Sequence, residues 1–174
     1  DRTALLLKMQ AAQTADVRDA WADRAEDLPL FSEGDVIILA SIIEKETGVS
    51  SERGVVASVF INRLNLGMPL QTDPSVIYGI TKGEHSLGRG LRKSELRKDT
   101  PWNTYLNRGL PPTAISNPGL QSIRAAVNPE DTDYVYFVAD GSGGHAFAKT
   151  LKEHNINVAK WRAVEAQSKT SYEN

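Results

Sequence analysis

The chain has 174 residues, 40% of them hydrophobic, enough for one compact domain with a sizeable core and too few for a second domain of full size. Twenty basic against 22 acidic residues leave a formal charge of −2, which offers no broad cationic footprint and argues against nucleic acid as a partner. The absence of cysteine excludes disulfides and thiolate metal sites, and His85, His145 and His154 stand too far apart for a paired-ligand pattern, so no metal and no other cofactor is expected.

Thr3 to Ala25 carries Leu5, Leu6, Met9, Ala12, Val17, Ala20 and Trp21 at largely helical intervals, with Thr14 as a point where the helix would break. The chain opens at Asp1 rather than methionine, as expected of a trimmed or processed product. Ser32 with Asp35 forms a capping box, and Gly48 supplies a stop, predicting a helix over Glu33 to Thr47. Its apolar run, Val36 to Ile43, is far shorter than the roughly 20 residues needed to span a bilayer. A third helix starts at Ser50 or Ser51, turns Val55, Val56, Val59, Phe60 and Leu64 inward, and ends at Gly67 before Pro69. Thr72-Asp73-Pro74 reads as the cap of a short helix, Ser75 to Ile80.

From Thr81 to Pro118 the chain is rich in glycine and proline, yet it holds Trp102, Tyr105 and Leu110, the composition of a long structured loop with a function. Asn117-Pro118 then caps a helix running to Val127. Tyr134 to Ala139 reads as a buried strand, which Gly141 to Gly144 turns into a second strand, His145 to Lys149. A final helix over about Thr150 to Gln167 presents Leu151, Val158 and Trp161 to the core.

The second helix drives an apolar sequence into two carboxylates in its last turn. The carbonyl end of a helix disfavours negative charge by about 0.3–1 kcal/mol, so a glutamate there tends to keep its proton, as general acid catalysis on a glycosidic bond requires. Glu44 and Glu46 are separated by about 200° around the helix and do not face one site. Glu44 lies over Ile37, Ala40 and Ser41, where small residues would leave a groove, so Glu44 is the expected acid and Glu46 the residue that contacts a neighbouring loop or backbone. Gln71, Thr72 and Asp73 offer polar groups for sugar hydroxyls, although Asp73 equally suits a helix cap. Trp102, Asn103 and Tyr105 offer rings and an amide, with Trp102 as readily plugging a small core. His145, at a strand start after a glycine turn, is a further candidate for ligand contact. Gly109-Leu110-Pro111-Pro112 and Ile115 to Gly119 look like cleft walls.

Ala40 to Thr47, Ala57 to Leu64, Leu70 to Gly79, Asn103-Thr104-Tyr105, Gly109 to Pro112 and Phe137 to Gly141 together closely resemble the MltG (YceG-like) family of endolytic murein transglycosylases. By that resemblance Glu44 matches the family's catalytic glutamate. The order of Glu44, Leu70-Gln71 and Trp102-Asn103 also resembles the motif order of lysozyme-like lytic transglycosylases, with Trp102 in place of tyrosine, which shifts attention to Tyr105. The resemblance implies an α+β, mostly helical fold with a lysozyme-like catalytic core and a small β-hairpin towards the C-terminal part, the whole chain forming one catalytic domain. It implies peptidoglycan glycan strands as substrate, peptidoglycan synthases as possible partners, and a place at the periplasmic face of the bacterial inner membrane. The amino-terminal membrane anchor and LysM-like segment usual in the family are expected to lie outside this chain.

The mechanism so implied has Glu44 protonate the bond between N-acetylmuramic acid and N-acetylglucosamine, then deprotonate the muramic C6 hydroxyl, which closes a 1,6-anhydro ring. Gln71, Thr72, Asn103 and Tyr105 would position the sugar. The alternatives are a lysozyme-type hydrolase, with Asp73 or Glu46 activating water, and a glycan-binding scaffold without turnover.

Overall fold

A computed structural model describes residues 1–172, with side chains placed through residue 167. Its elements follow the order α1 (Arg2–Ala22), α2 (Glu33–Glu46), a 3-10 turn (Ser50–Glu52), α3 (Arg53–Asn65), α4 (Asp73–Thr81), a second 3-10 turn (Glu95–Arg97), α5 (Leu120–Val127), β1 (Tyr136–Ala139), β2 (His145–Ala148) and α6 (Leu151–Tyr172). The fold is α+β and mostly helical, as expected.

Helix α2 is the axis of the domain. Val36, Leu39, Ala40, Ile42 and Ile43 are fully buried, and α1, α3, α4 and α5 pack around them. Hydrophobic residues on nearly every side mark a helix surrounded by protein rather than one with a wet face. Ser32 caps α2 by accepting from the Asp35 N–H at 3.2 Å, while the Asp35 carboxylate accepts from Phe31 N–H. The predicted glycine stop is not used. Thr47 leaves the helix with extended backbone (φ −135°), so the turn is made one residue before Gly48.

Helix α1 runs unbroken through Thr14, whose hydroxyl donates to Gln10 O within the helix, and ends at Ala22 rather than Ala25. Its second half buries Val17 and Ala20, whereas Leu5, Leu6, Leu7 and Met9 are more than half exposed. On α3 the inward face holds Val56, Val59 and Phe60, and, at the same helical spacing, the nearly buried Arg63.

The hairpin pairs β1 and β2 antiparallel in the register Tyr136 to Ala148 through Ala139 to His145. It begins later than Tyr134 because the carbonyls of Thr132 and Tyr134 accept from the Asn62 side chain instead of a strand. Phe137 closes edge-on against Phe60, joining the hairpin to α3, and α6 covers the hairpin. Thr150 and Glu153 cap α6 reciprocally. Leu151, expected in the core, is 57% exposed because it sits on the outer side of that first turn.

Candidate active site

The two carboxylates at the end of α2 have opposite surroundings. Glu44 Oε2 accepts from the Ser122 hydroxyl at 2.6 Å and from Gly119 N–H at 3.2 Å. Both donors belong to the start of α5, which has no side-chain cap and no acid of its own in its first turn. Glu44 thus caps α5 from another helix, and an anion at a helix N-terminus is favourable. The Ser122 hydrogen bond outweighs the partial burial, and with Gly119 N–H and the Arg53 charge it holds the Glu44 carboxyl below the usual range. The raised pKa expected at Glu44 from the carbonyl end of α2 is therefore absent. The groove expected beneath it is filled: Ser41 is fully buried, accepts from Ile115 N–H and takes the Ser116 hydroxyl on its own carbonyl.

Glu46 carries the property expected at Glu44. Burial lifts its pKa from 4.5 to about 7, the Asp73 charge adds to the rise, and the Thr72 hydroxyl and the Arg63 guanidinium partly offset it. Thr72 is buried and its Oγ1 has no partner in good hydrogen-bond geometry, so its one free donor stands beside Glu46. A carboxyl that holds its proton up to about neutral pH through desolvation and a like charge is a poised proton donor.

The loop before α4 builds the rest of the site. Gln71 adopts φ +55°, a left-handed conformation that a non-glycine residue rarely takes, and it is held there by Gln71 N–H to Thr104 O and by Arg63 Nη1 to Gln71 Oε1 at 3.2 Å. Arg63 donates also to the carbonyls of Val135, Pro69 and Leu70 at 2.7, 3.0 and 3.0 Å, and forms no carboxylate salt bridge among the described residues. Its charge is held in place by neutral oxygens and remains uncancelled beside Glu46 and Tyr105. Tyr105 donates its hydroxyl to Asp73 Oδ1 at 2.6 Å, and burial, then that hydrogen bond, push its pKa upward. Thr72 N–H and Ser75 both bond Thr104 Oγ1, pinning the 103–105 turn to the start of α4.

Of the residues read from sequence, Glu46, Gln71, Thr72, Asp73 and Tyr105 come together, and Glu44, Asn103 and His145 do not join them. Asn103 is fully buried, and its amide donates to Leu96 O and Lys98 O while its oxygen accepts from Tyr105 N–H, so it organises the loop. His145 turns to Glu52, with Nδ1 2.7 Å from Oε2 and its N–H on Oε1. Glu52 also accepts from Thr47, which ties the hairpin to the exit of α2. Trp102 packs edge-on against Tyr78, bonds Thr113 and lies 3.1 Å beneath Lys82 Nζ, the small-core role foreseen for it. Gly79 allows this packing: a Cβ there would come within 2.5 Å of Thr100 Oγ1. Arg63 was missed by the sequence reading. The signal was present as a charged residue on the apolar face of α3, beside Phe60 and one turn beyond Val59.

A family model described as the YceG-like family matches residues 1–160. The chain belongs to the YceG-like family. It is 49% identical over 120 residues to the endolytic murein transglycosylase of Bacillus subtilis (strain 168), a match covering 69% of this chain and 32% of that protein. With the endolytic murein transglycosylase of Streptococcus pneumoniae serotype 2 (strain D39) it shares 35% identity over 132 residues, 72% of this chain and 23% of that protein. The YceG-like chain therefore spans a third or less of these curated relatives. The crystal structure of a yceG-like protein from Listeria monocytogenes superposes with a TM-score of 0.71 at 42% identity, covering 85% of this chain and 45% of that one. Nothing among the described residues groups histidines and carboxylates as a metal site, and no described helix is long and apolar enough to cross a membrane.

Proposed function

We propose that this YceG-like chain is the catalytic part of a lytic transglycosylase that cuts murein glycan strands, with Glu46 rather than Glu44 as its acid. The observation that carries the choice is the raised pKa of Glu46 within the cluster of Thr72, Asp73, Tyr105 and Arg63. The names of the relatives support the substrate class.

In this mechanism the Glu46 carboxyl protonates the oxygen linking N-acetylmuramic acid to N-acetylglucosamine. As carboxylate it then takes the proton of the muramic C6 hydroxyl, whose oxygen attacks C1 and leaves a 1,6-anhydro end. The nucleophile is internal to the sugar, so one carboxylate performs both proton transfers. Arg63 acts between the two steps: its fixed charge favours the carboxylate that forms once the proton has left. Gln71 and Asp73 are exposed at the rim and suited to sugar hydroxyls, with Tyr105 holding Asp73 in place.

The names of the relatives support a place in the bacterial cell envelope with glycan strands as partner, and the proposal extends this to the outer side of the inner membrane, beside the synthases that make those strands. A second reading, a muramidase in which Asp73 activates water, is favoured by the closeness of this second carboxylate to Glu46. Mass spectrometry of strands digested by the protein and by Glu46→Gln and Glu44→Gln separates these possibilities. Anhydro ends from the parent and Glu44→Gln, and none from Glu46→Gln, are expected. Reducing ends would establish the hydrolase, and loss of cleavage in Glu44→Gln alone would return the acid to Glu44.

A further inference from the structure

We propose that the cavity between α4 and the 83–89 loop is a subsite for the carboxylate-bearing peptide carried by the muramoyl sugar of murein, an inference that rests on the glycan substrate proposed above. The cavity encloses about 610 Å³, a size that holds a short peptide rather than a single ion. No residue of the Glu46 cluster lines it, but chain neighbours of that cluster do. Lys45, at its end, lies between Glu44 and Glu46 on α2, and Pro74, on its wall, follows Asp73 directly.

Its lining is basic and apolar with no carboxylate. Three basic residues face it, Lys45, His85 and Arg89, and Ile77, Tyr78 and Leu87 form apolar walls. Arg89 is committed elsewhere. It grips Glu95 with both guanidinium nitrogens at 2.9 and 2.7 Å, and Glu95 also accepts from Arg92 N–H, which fixes the loop as a wall. The side chains of Lys45 and His85 have no ion-pair partner among the described residues, so their donors remain for a ligand. Tyr78 is held by Trp102 at 5.7 Å between ring centroids, which keeps the apolar wall rigid.

The ligand that matches alternates small apolar side chains with free carboxylates. The peptide on muramic acid has this chemistry: it hangs from the lactyl ether of the cleaved sugar, begins with alanine and continues through a γ-linked glutamate whose own carboxylate is free. A peptide-stripped strand keeps only the lactyl carboxylate and methyl of each muramic acid and lacks the alternating pattern, so it would leave most of the cavity unfilled. The site would thus prefer strands whose peptides are still attached.

Backbone NMR of the protein titrated with a muramyl tripeptide whose γ-linked glutamate keeps its free α-carboxylate, with an N-acetylglucosamine oligomer and with inorganic pyrophosphate tests this directly. The muramyl tripeptide is expected to shift the signals of Lys45, His85 and Leu87, and the Lys45→Gln/His85→Gln protein to bind it roughly tenfold more weakly, the loss of about one charge-assisted hydrogen bond. Shifts at those residues from the sugar oligomer alone, displacement of the peptide by an equal concentration of pyrophosphate, or no shift there with any ligand would each overturn the proposal. In digests, the ratio of kcat/KM for peptide-bearing over peptide-stripped strands should fall by a similar factor in the double variant. If neither strand is cut by the parent protein, the transglycosylase reading fails while the titration still decides the subsite.

Discussion

Replacing Glu46 by glutamine should make the domain more stable at neutral pH while removing its activity. Burial, with the Asp73 charge, moves the Glu46 carboxyl from 4.5 to about 7 in the folded protein. Folding therefore works against the ionised form. Below pH 4.5 the group is protonated in both folded and unfolded chains, and the parent and Glu46→Gln proteins should be nearly equal in stability. Between pH 4.5 and 7 the unfolded chain loses its proton and the folded chain keeps it, so the parent loses stability steadily. Above pH 7 the gap levels off at about 3 kcal/mol. Urea unfolding of both proteins at about pH 4, 5.5 and 8 reads the gap as a change in midpoint with constant slope. Strand cleavage should drop by about 10²–10⁴-fold, the usual contribution of a general acid. A gap that does not widen with pH, or a glutamine variant less stable than the parent at the highest pH, would refute the placement of Glu46 in a desolvated site.

Glu44→Gln should do the reverse: it loses about 1 kcal/mol at neutral pH by weakening the cap on α5, a loss that fades as pH falls through the low pKa of Glu44, while most cleavage is kept. Denaturation at neutral pH and at about pH 3 alongside an activity assay checks both parts. Arg63→Met leaves the carbonyls of Pro69, Leu70 and Val135 without their donor and should cost about 2–4 kcal/mol, with the pH limit set by Glu46 moving upward because a favourable charge is gone. Thermal melts and a pH–rate profile measure the two effects. Gly79→Ala should cost about 1–3 kcal/mol through the clash with Thr100, read by the same melts, with Trp102 fluorescence reporting the displaced loop.

Helix positions were legible because their signals are local: the Ser32 cap, Pro74 in the first turn of α4 and the apolar run of α2 all lie within a few residues of what they determine. The site was legible as a set of segments, whereas the electrostatics of its two glutamates were not. Nothing near Glu44 in sequence announces that Ser122 and Gly119, more than 70 residues away, will neutralise the disfavour of its helix end. Helical geometry separated the two glutamates correctly, but which face is dry depends on what the 71–73 loop and α5 place there. Asn103 shows the same limit. An amide in an irregular loop reads as a ligand until its three hydrogen bonds to the loop itself are seen. The apolar first half of α1 followed the helical period, and periodicity alone does not say whether a face has anything to pack against.

Arg63 links parts of the chain that are far apart in sequence: the loop that carries Gln71 and the strand entered through Val135 share this one cation. A chain whose hairpin has not yet docked leaves the guanidinium held only from the 69–71 loop through Nη1, with Nε lacking the Val135 carbonyl that fixes it from the other side. The orientation of this charge beside Glu46 is then complete only with the last third of the polypeptide in place. Under the proposed function, full reactivity would follow only on assembly of the whole fold.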